Sequence, residues 1–210
     1  MAADGPTKVM DYVFLGGRQQ AKNRELLESL GITHILNVTP TRKVDPVAGV
    51  PNFFEKDNAF TYRRCALFDN QGEDILTSLD GCIAFIDQAK FHGRILVHCK
   101  AGVSRSAAIV LAYLMKTLAM PFADALSLLQ QKRPMVNPNA SFRAQLQAFE
   151  KRLNLVPRPS TSPPSNESSS LEAIGPQLPP HLKRRAMEAA AGSNEAADAP
   201  TTSKKPKLYE

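Results

Sequence analysis

Residues 97–106 read VHCKAGVSRS, directly after Arg94-Ile95-Leu96, a short run with the character of a buried strand. A strand that ends by delivering Cys99 into a loop of small residues raises a chemical question. Lys100, Ala101, Gly102, Val103 and Ser104 permit a tight turn whose successive backbone N–H groups converge on one point, a concavity suited to an anion. Arg105 then opens an apolar, helix-like segment, whose positive N-terminal end adds to the same point. A guanidinium there can grip two oxygens of a phosphate at once. The same field acts on the cysteine: helix N-termini and nearby cations bring a thiol from about 8.5 to roughly 3.5–7.5. Cys99 is therefore expected to be a thiolate nucleophile, with the Ser106 hydroxyl in position to donate to its sulfur. A buried cysteine alone is more often an inert core residue. The flanking pattern His-Cys-x-x-Gly-x-x-Arg-Ser, set between a strand and a helix, is what argues otherwise.

Outward from this loop, strand and helix patterns alternate. Strands are expected at Val9–Leu15, Thr33–Val38, Tyr62–Phe68 and Arg94–His98, on their apolar and β-branched content. Helices are expected over Arg18–Leu30, from Ile75, and from Ser104 or Arg105 to about Leu118. Two more follow, one starting at Pro121 and one at Asn139 or Ser141. This order predicts an α/β fold with a central, mostly parallel twisted sheet flanked by helices. In such sheets ligands bind beyond the carboxyl ends of the strands, where Cys99 lies. Composition changes near residue 156: the chain becomes rich in Pro and Ser, without the apolar content to offset ordering entropy. The expected organisation is a flexible N-terminus at 1–6, a catalytic domain at 7–155 and a disordered tail at 156–210. Within that tail, Lys183-Arg184-Arg185 and Lys204-Lys205-Pro206-Lys207 have the form of a two-part nuclear import signal.

The bulk numbers exclude some classes. Of the 210 residues, 43% are hydrophobic and 22% charged, as in a globular protein. The formal net charge of +6 suits an anionic substrate but is too diffuse to imply nucleic acid. Three cysteines form no metal-type pair and favour a reducing compartment. No apolar run approaches the ~20 residues of a membrane helix, and the N-terminus lacks a signal peptide's apolar core. The expected location is cytoplasmic, nuclear or both, with no membrane and no nucleic acid as partner. Neither a cofactor nor a metal is expected, since the loop and Arg105 supply the charge stabilisation themselves. The oligomeric state is not legible.

A leaving oxygen departs faster if it is protonated, so a carboxylic acid is needed near the loop. The candidates are Asp57, Asp69, Glu73, Asp74 and Asp80. Asp69 follows the expected Tyr62–Phe68 strand and precedes Cys99 by 30 residues, so a neighbouring parallel strand would bring it to the same crevice. Asp57 precedes that strand and is expected at the opposite edge. Asp74 reads as a helix cap, Asn139 as a cap or loop brace, and Cys65 and Cys82 as core residues.

VHCKAGVSRSA resembles the active-site signature of the protein tyrosine phosphatase superfamily, and AGVSRS its dual-specificity branch. LGGRQQAKN, LLESLGITHILNV, AYLMKTLAMPFADALSLLQQKRPMVNPN and SFRAQLQAFE extend the resemblance over about residues 7–155. It implies Asp69 as general acid and His98 as a residue that holds the cysteine loop by a hydrogen bond. LNVTP, PNFFE and FTYRRCALFDN resemble the catalytic domain of the branch acting on MAP kinases, which implies a phosphoprotein substrate of that kind. The sequence departs from that branch by inserting roughly TRKVDPVAG between LNVTP and PNFFE, and by lacking an N-terminal kinase-docking domain before residue 7. Phosphoinositide phosphatases usually carry a second basic residue in this loop, whereas Val103 is apolar. A phosphoinositide, an RNA 5′-phosphate or a non-catalytic phosphate-binding module remain the alternatives.

Overall fold

The computed structural model describes residues 5–155. The tail expectations from residue 156 onward lie outside the described residues. Eleven elements alternate along this segment: β1 (Thr7–Lys8), β2 (Val13–Gly16), α1 (Arg18–Ala21), α2 (Arg24–Ser29), β3 (Ile32–Asn37), β4 (Thr61–Arg64), α3 (Leu76–His92), β5 (Arg94–His98), α4 (Arg105–Leu118), α5 (Phe122–Lys132) and α6 (Ala140–Arg152). The strands form one sheet in the order β1-β2-β5-β3-β4. Only the β1–β2 pair is antiparallel; β5 runs parallel to both its neighbours, and β4 parallel to β3. The mostly parallel α/β sheet expected from the sequence is the one observed.

Because strand side chains alternate between faces, the central strands β2, β3 and β5 each feed two cores. Val13, Leu15, Leu36, Ile95 and Val97 pack against the buried faces of α3, α4, α5 and α6. Phe14, Ile35 and Leu96 point the other way, into a smaller cluster with Ala21 and Leu27 of the first two helices and with Phe60. The central helix α4 is buried at every position from Arg105 to Met115. Its all-round apolar sequence is therefore that of a core helix, and no helix among the described residues is long and apolar enough to cross a membrane.

Several expected boundaries are corrected. The strand expected over Val9–Leu15 is β2 and starts at Val13, because Val9 and Met10 turn back to accept and donate hydrogen bonds with Val13. The helix expected over Arg18–Leu30 is two helices: Asn23 interrupts it, its side chain accepting from Leu26 N at 3.0 Å as the cap of α2. Pro121 stands just outside α5 as its N-cap, and Asn139 caps α6 by accepting from Phe142 N at 2.9 Å. The strand expected over Tyr62–Phe68 ends at Arg64, so Asp69 is not at a strand terminus. Cys65 N still donates to Asn37 O at 2.9 Å, but β3 ends there and offers no further partner.

The inserted segment after LNVTP is a turn closed on itself. Asp45 accepts from the N–H groups of Val47 and Ala48. At its base, Arg64 donates to the carbonyls of Thr39, Pro40 and Val50.

Candidate active site

Parallel pairing brings Gly16, Asn37 and His98 side by side at the carboxyl end of the sheet. The chain leaves β5, the central strand, at Cys99. Four successive carbonyls of the following loop are tied outward. Lys100 O accepts from Arg18 N at 2.9 Å and Val103 O from Asn137 N at 2.9 Å. Ala101 O and Gly102 O accept from Arg133, at 3.1 and 2.9 Å. A trans peptide puts its N–H opposite its C=O, so the N–H groups of Ala101, Gly102, Val103 and Ser104 turn inward. Gly102 N–H indeed donates to Cys99 Sγ at 3.2 Å. Gly102 has φ +71°, and an added Cβ would lie 2.5 Å from Gly16 O, so both its conformation and its surroundings require glycine.

Cys99 is buried and its sulfur also accepts from the Ser106 hydroxyl at 3.2 Å. Burial alone would push its thiol up. The Ser106 hydroxyl and N–H, the Arg105 charge and the Gly102 N–H outweigh that and hold Cys99 below the ordinary thiol value. Arg105 is buried, and its Nη1 donates to Leu67 O at 3.3 Å. Its Nε has no hydrogen-bond partner among the described residues; Asp69 Oδ2 stands 3.7 Å away, an ion pair rather than a hydrogen bond. A buried, unpaired guanidinium donor is costly unless a ligand completes it.

Asp69 reaches this place from a loop. Its Oδ1 accepts from Ser104 Oγ at 2.7 Å and from Asn139 Nδ2 at 3.0 Å. One cleft is lined by Asp69, Ser104, Asn137, Pro138, Asn139, Ala140 and Arg143. The structure thus gathers Cys99, Ser106, Arg105, Asp69 and the loop residues from Lys100 to Ser104 at one point.

A model of the family described as dual specificity phosphatase, catalytic domain, matches residues 13–152. The chain belongs to that family. Human dual specificity protein phosphatase 9 is 36% identical over 179 residues, covering 85% of this chain and 44% of that protein. Mouse dual specificity protein phosphatase 1 is 37% identical over 150 residues, covering 71% of this chain and 38% of that one. The chain thus spans less than half the length of these two relatives. Among solved structures, the human tyrosine phosphatase-like serine/threonine/tyrosine-interacting protein superposes with a TM-score of 0.63 at 34% identity, over 71% of this chain and 97% of that one.

Of the remaining acid candidates of this phosphatase domain, Asp57, Asp74 and Asp80 have side chains engaged elsewhere. Asp57 pairs with Arg24. Asp74 accepts from Leu76 N at 2.8 Å, the capping contact expected of it. Asp80 faces Lys116 at 3.7 Å. The carbonyl of Glu73 accepts from Gln145. His98 lies beneath the loop, its Nδ1 3.2 Å from Cys99 O; burial pushes its imidazole down to about 4, so it is a neutral donor to that carbonyl. Lys100 is exposed. Among the described residues no group of three or more His, Cys, Asp or Glu converges as a metal site would. Sequence reasoning missed Arg133, which braces two loop carbonyls, and the contacts of Ser104 and Asn139 with Asp69. Nothing in the spacing of positions 69, 104, 133 and 139 signals these contacts, which only the packing of α4, α5 and α6 creates.

Proposed function

We propose that the protein is a cysteine-dependent phosphatase that hydrolyses phosphotyrosine and phosphoserine or phosphothreonine in proteins, with MAP kinases as the substrate class. One observation carries the chemistry: a Cys99 sulfur held by two donors at 3.2 Å, under inward N–H groups and beside an Arg105 Nε with no hydrogen-bond partner among the described residues. The breadth of substrate rests on the relatives, which are named as dual specificity phosphatases.

The substrate phosphoryl group sits in the loop, its oxygens taking the N–H groups and the Arg105 fork. The Cys99 thiolate attacks phosphorus, the P–S bond forms and the ester P–O bond breaks. Asp69 gives its proton to the departing oxygen. Water then attacks the phosphocysteine, Asp69 takes a proton from that water, and the thiolate leaves towards the Ser106 hydroxyl. The products are the free hydroxyl and inorganic phosphate. The site of action is expected in the cytoplasm, the nucleus or both.

The test is phosphate release from a peptide phosphorylated on Thr and Tyr, with a chelator present. Release from both positions is expected, with Cys99→Ser reducing it by about 10⁴-fold or more. Retention of activity in that variant contradicts the reading.

A further inference from the structure

Cys65 and Cys82 take no part in the proposed chemistry, yet they meet in the larger core. Cys65 directly follows β4, the edge strand of the sheet, and Cys82 lies on the buried face of α3. The two elements touch there: a Cβ added to Gly81 would stand 2.6 Å from Arg63 Nη2. Ser78, one turn before Cys82, hydrogen-bonds Cys65, and the two thiols hydrogen-bond each other. Both cysteines are free.

The pair is asymmetric. The Cys82 S–H donates to Cys65, and with the Ser78 hydroxyl and the Arg63 charge it holds Cys65 below the ordinary thiol value, against burial. The same bond, together with burial, pushes the Cys82 thiol well up. Cys65 is also nearer to solvent, 8% exposed against 1% for Cys82. One thiol is the readier nucleophile and its neighbour keeps a proton, which divides the roles of an oxidised and a resolving cysteine. Cys65 is also close to the active site along the chain. Its N–H donates to Asn37 O and its carbonyl accepts from Leu67 N–H. Leu67 O accepts in turn from Arg105, and Asp69 follows two residues later, 3.7 Å from Arg105 Nε.

We propose that Cys65 and Cys82 are a peroxide-sensitive dithiol whose disulfide reversibly slows the enzyme, independently of Cys99. The Cys65 sulfur attacks a peroxide oxygen: the S–O bond forms, the O–O bond breaks, and the thiol proton leaves with the displaced hydroxide as water. Cys82 then attacks the Cys65 sulfenic acid. The S–S bond forms, the S–O bond breaks, and the second thiol proton leaves with that hydroxyl as water, so two thiols give two electrons to one peroxide. Drawing the sulfurs from contact into a bond displaces the chain from Cys65 to Asp69, and with it the carbonyl and carboxylate that face Arg105. The loss of activity rests on the phosphatase reading above, whereas formation of the disulfide does not.

Both cysteines fall in one tryptic peptide, residues 65–90, which makes the bond readable by mass. The Cys99→Ser protein is treated with hydrogen peroxide, alkylated in denaturant and digested, and the peptide is weighed before and after reduction. The expected peptide lacks two hydrogens and takes up alkylating reagent only after reduction. Two alkylatable thiols, or a sulfinic acid on either one, overturn the inference. For the activity, the native chain is oxidised with inorganic phosphate shielding Cys99 and then desalted. Its kcat/KM for an aryl phosphate is expected to fall about tenfold, as for a small misplacement near the reacting groups, and to recover with dithiothreitol. The Cys82→Ala protein, treated alike, should keep its activity. Equal loss in both proteins, a bond from Cys99 to either cysteine, or full activity with the disulfide formed overturns the inference. The mapping leaves Cys65 and Cys82 in place, so it decides the disulfide even where Cys82→Ala fails to fold. An aryl phosphate untouched by the untreated native chain overturns the phosphatase reading instead, and the mass of the peptide still decides the disulfide.

Discussion

The phosphate loop and the acid segment stand side by side but are held by different means. From Lys100 to Val103 the loop is fixed through its own main chain, four carbonyls tied outward and a glycine in a conformation other residues resist. Asp69 is placed by side chains alone, from positions 35 and 70 residues away. Their exposure differs accordingly: the Arg105 side chain is 3% exposed and that of Asp69 36%. On the proposed mechanism, the loop is a cradle fixed through its backbone, and Asp69, the proposed acid, is held in range by neighbouring side chains. Rigid placement suits transition-state charge stabilisation, which depends on preorganised donors. Proton transfer tolerates an arm that tightens only when substrate is bound.

This contrast can be broken from the loop side. Gly102→Ala forces a methyl group against Gly16 O and strains a left-handed residue. Steady-state kinetics should show kcat/KM lowered by about 10²-fold or more for every substrate, whatever its leaving group, in keeping with loss of oxyanion-type donors. A loss confined to poor leaving groups would show that the cradle had been misread.

On the acid side, Asn139→Ala removes one of the two contacts to Asp69 Oδ1 and should act more gently. The expectation is a several-fold fall in kcat for phosphopeptides, within the 10²–10⁴-fold that general acid catalysis supplies. Hydrolysis of an aryl phosphate with a good leaving group should hardly change, because that oxygen departs without a proton. Equal loss on both substrates would mean that Asn139 supports the fold rather than the acid. Asn139 also caps α6, so a thermal melt should accompany the kinetics.

The last effect is on stability rather than on rate, and concerns the loop's foundation. The imidazole of His98 is held down at about 4 in the folded protein by burial, against an unfolded value near 6.5. Between these values the unfolded chain binds the proton and the folded chain does not. Stability should therefore be full above about pH 6.5 and fall towards pH 4, by up to about 3 kcal/mol from this group. His34, whose imidazole burial also depresses, adds to the same slope. Urea unfolding at pH 7 and 4.5 measures the loss. An NMR titration of His98 with a midpoint near 6.5 would contradict it.

The legible parts of the molecule were contiguous in sequence. The loop was readable because seven residues carry both its geometry and its charge, and β5 and α4 flank it on either side. Asp69 follows from the topology only in part: Ala66 to Phe68 look like a continuation of the strand, but β3 ends at Asn37, pairs last with Cys65 N and offers them no ladder partner. Local propensity gave way to the absence of a partner strand. The break at Asn23 was hidden because polar residues on an exposed surface fit a continuous helix and a capped restart equally well. Arg133 is beyond reach as a site residue, since its position follows from helix packing; Asn139 is legible as a cap or loop brace, but not its contact with Asp69.

The central claim, that Cys99 is a nucleophile held as a thiolate, is tested most directly by rapid quenching of the Asp69→Asn protein with a labelled phosphotyrosine peptide. The account predicts transient transfer of up to one phosphate per chain, located on Cys99 by mass spectrometry and absent when Cys99 is Ser. Turnover of the peptide without any phosphocysteine, or a label on another residue, would contradict it.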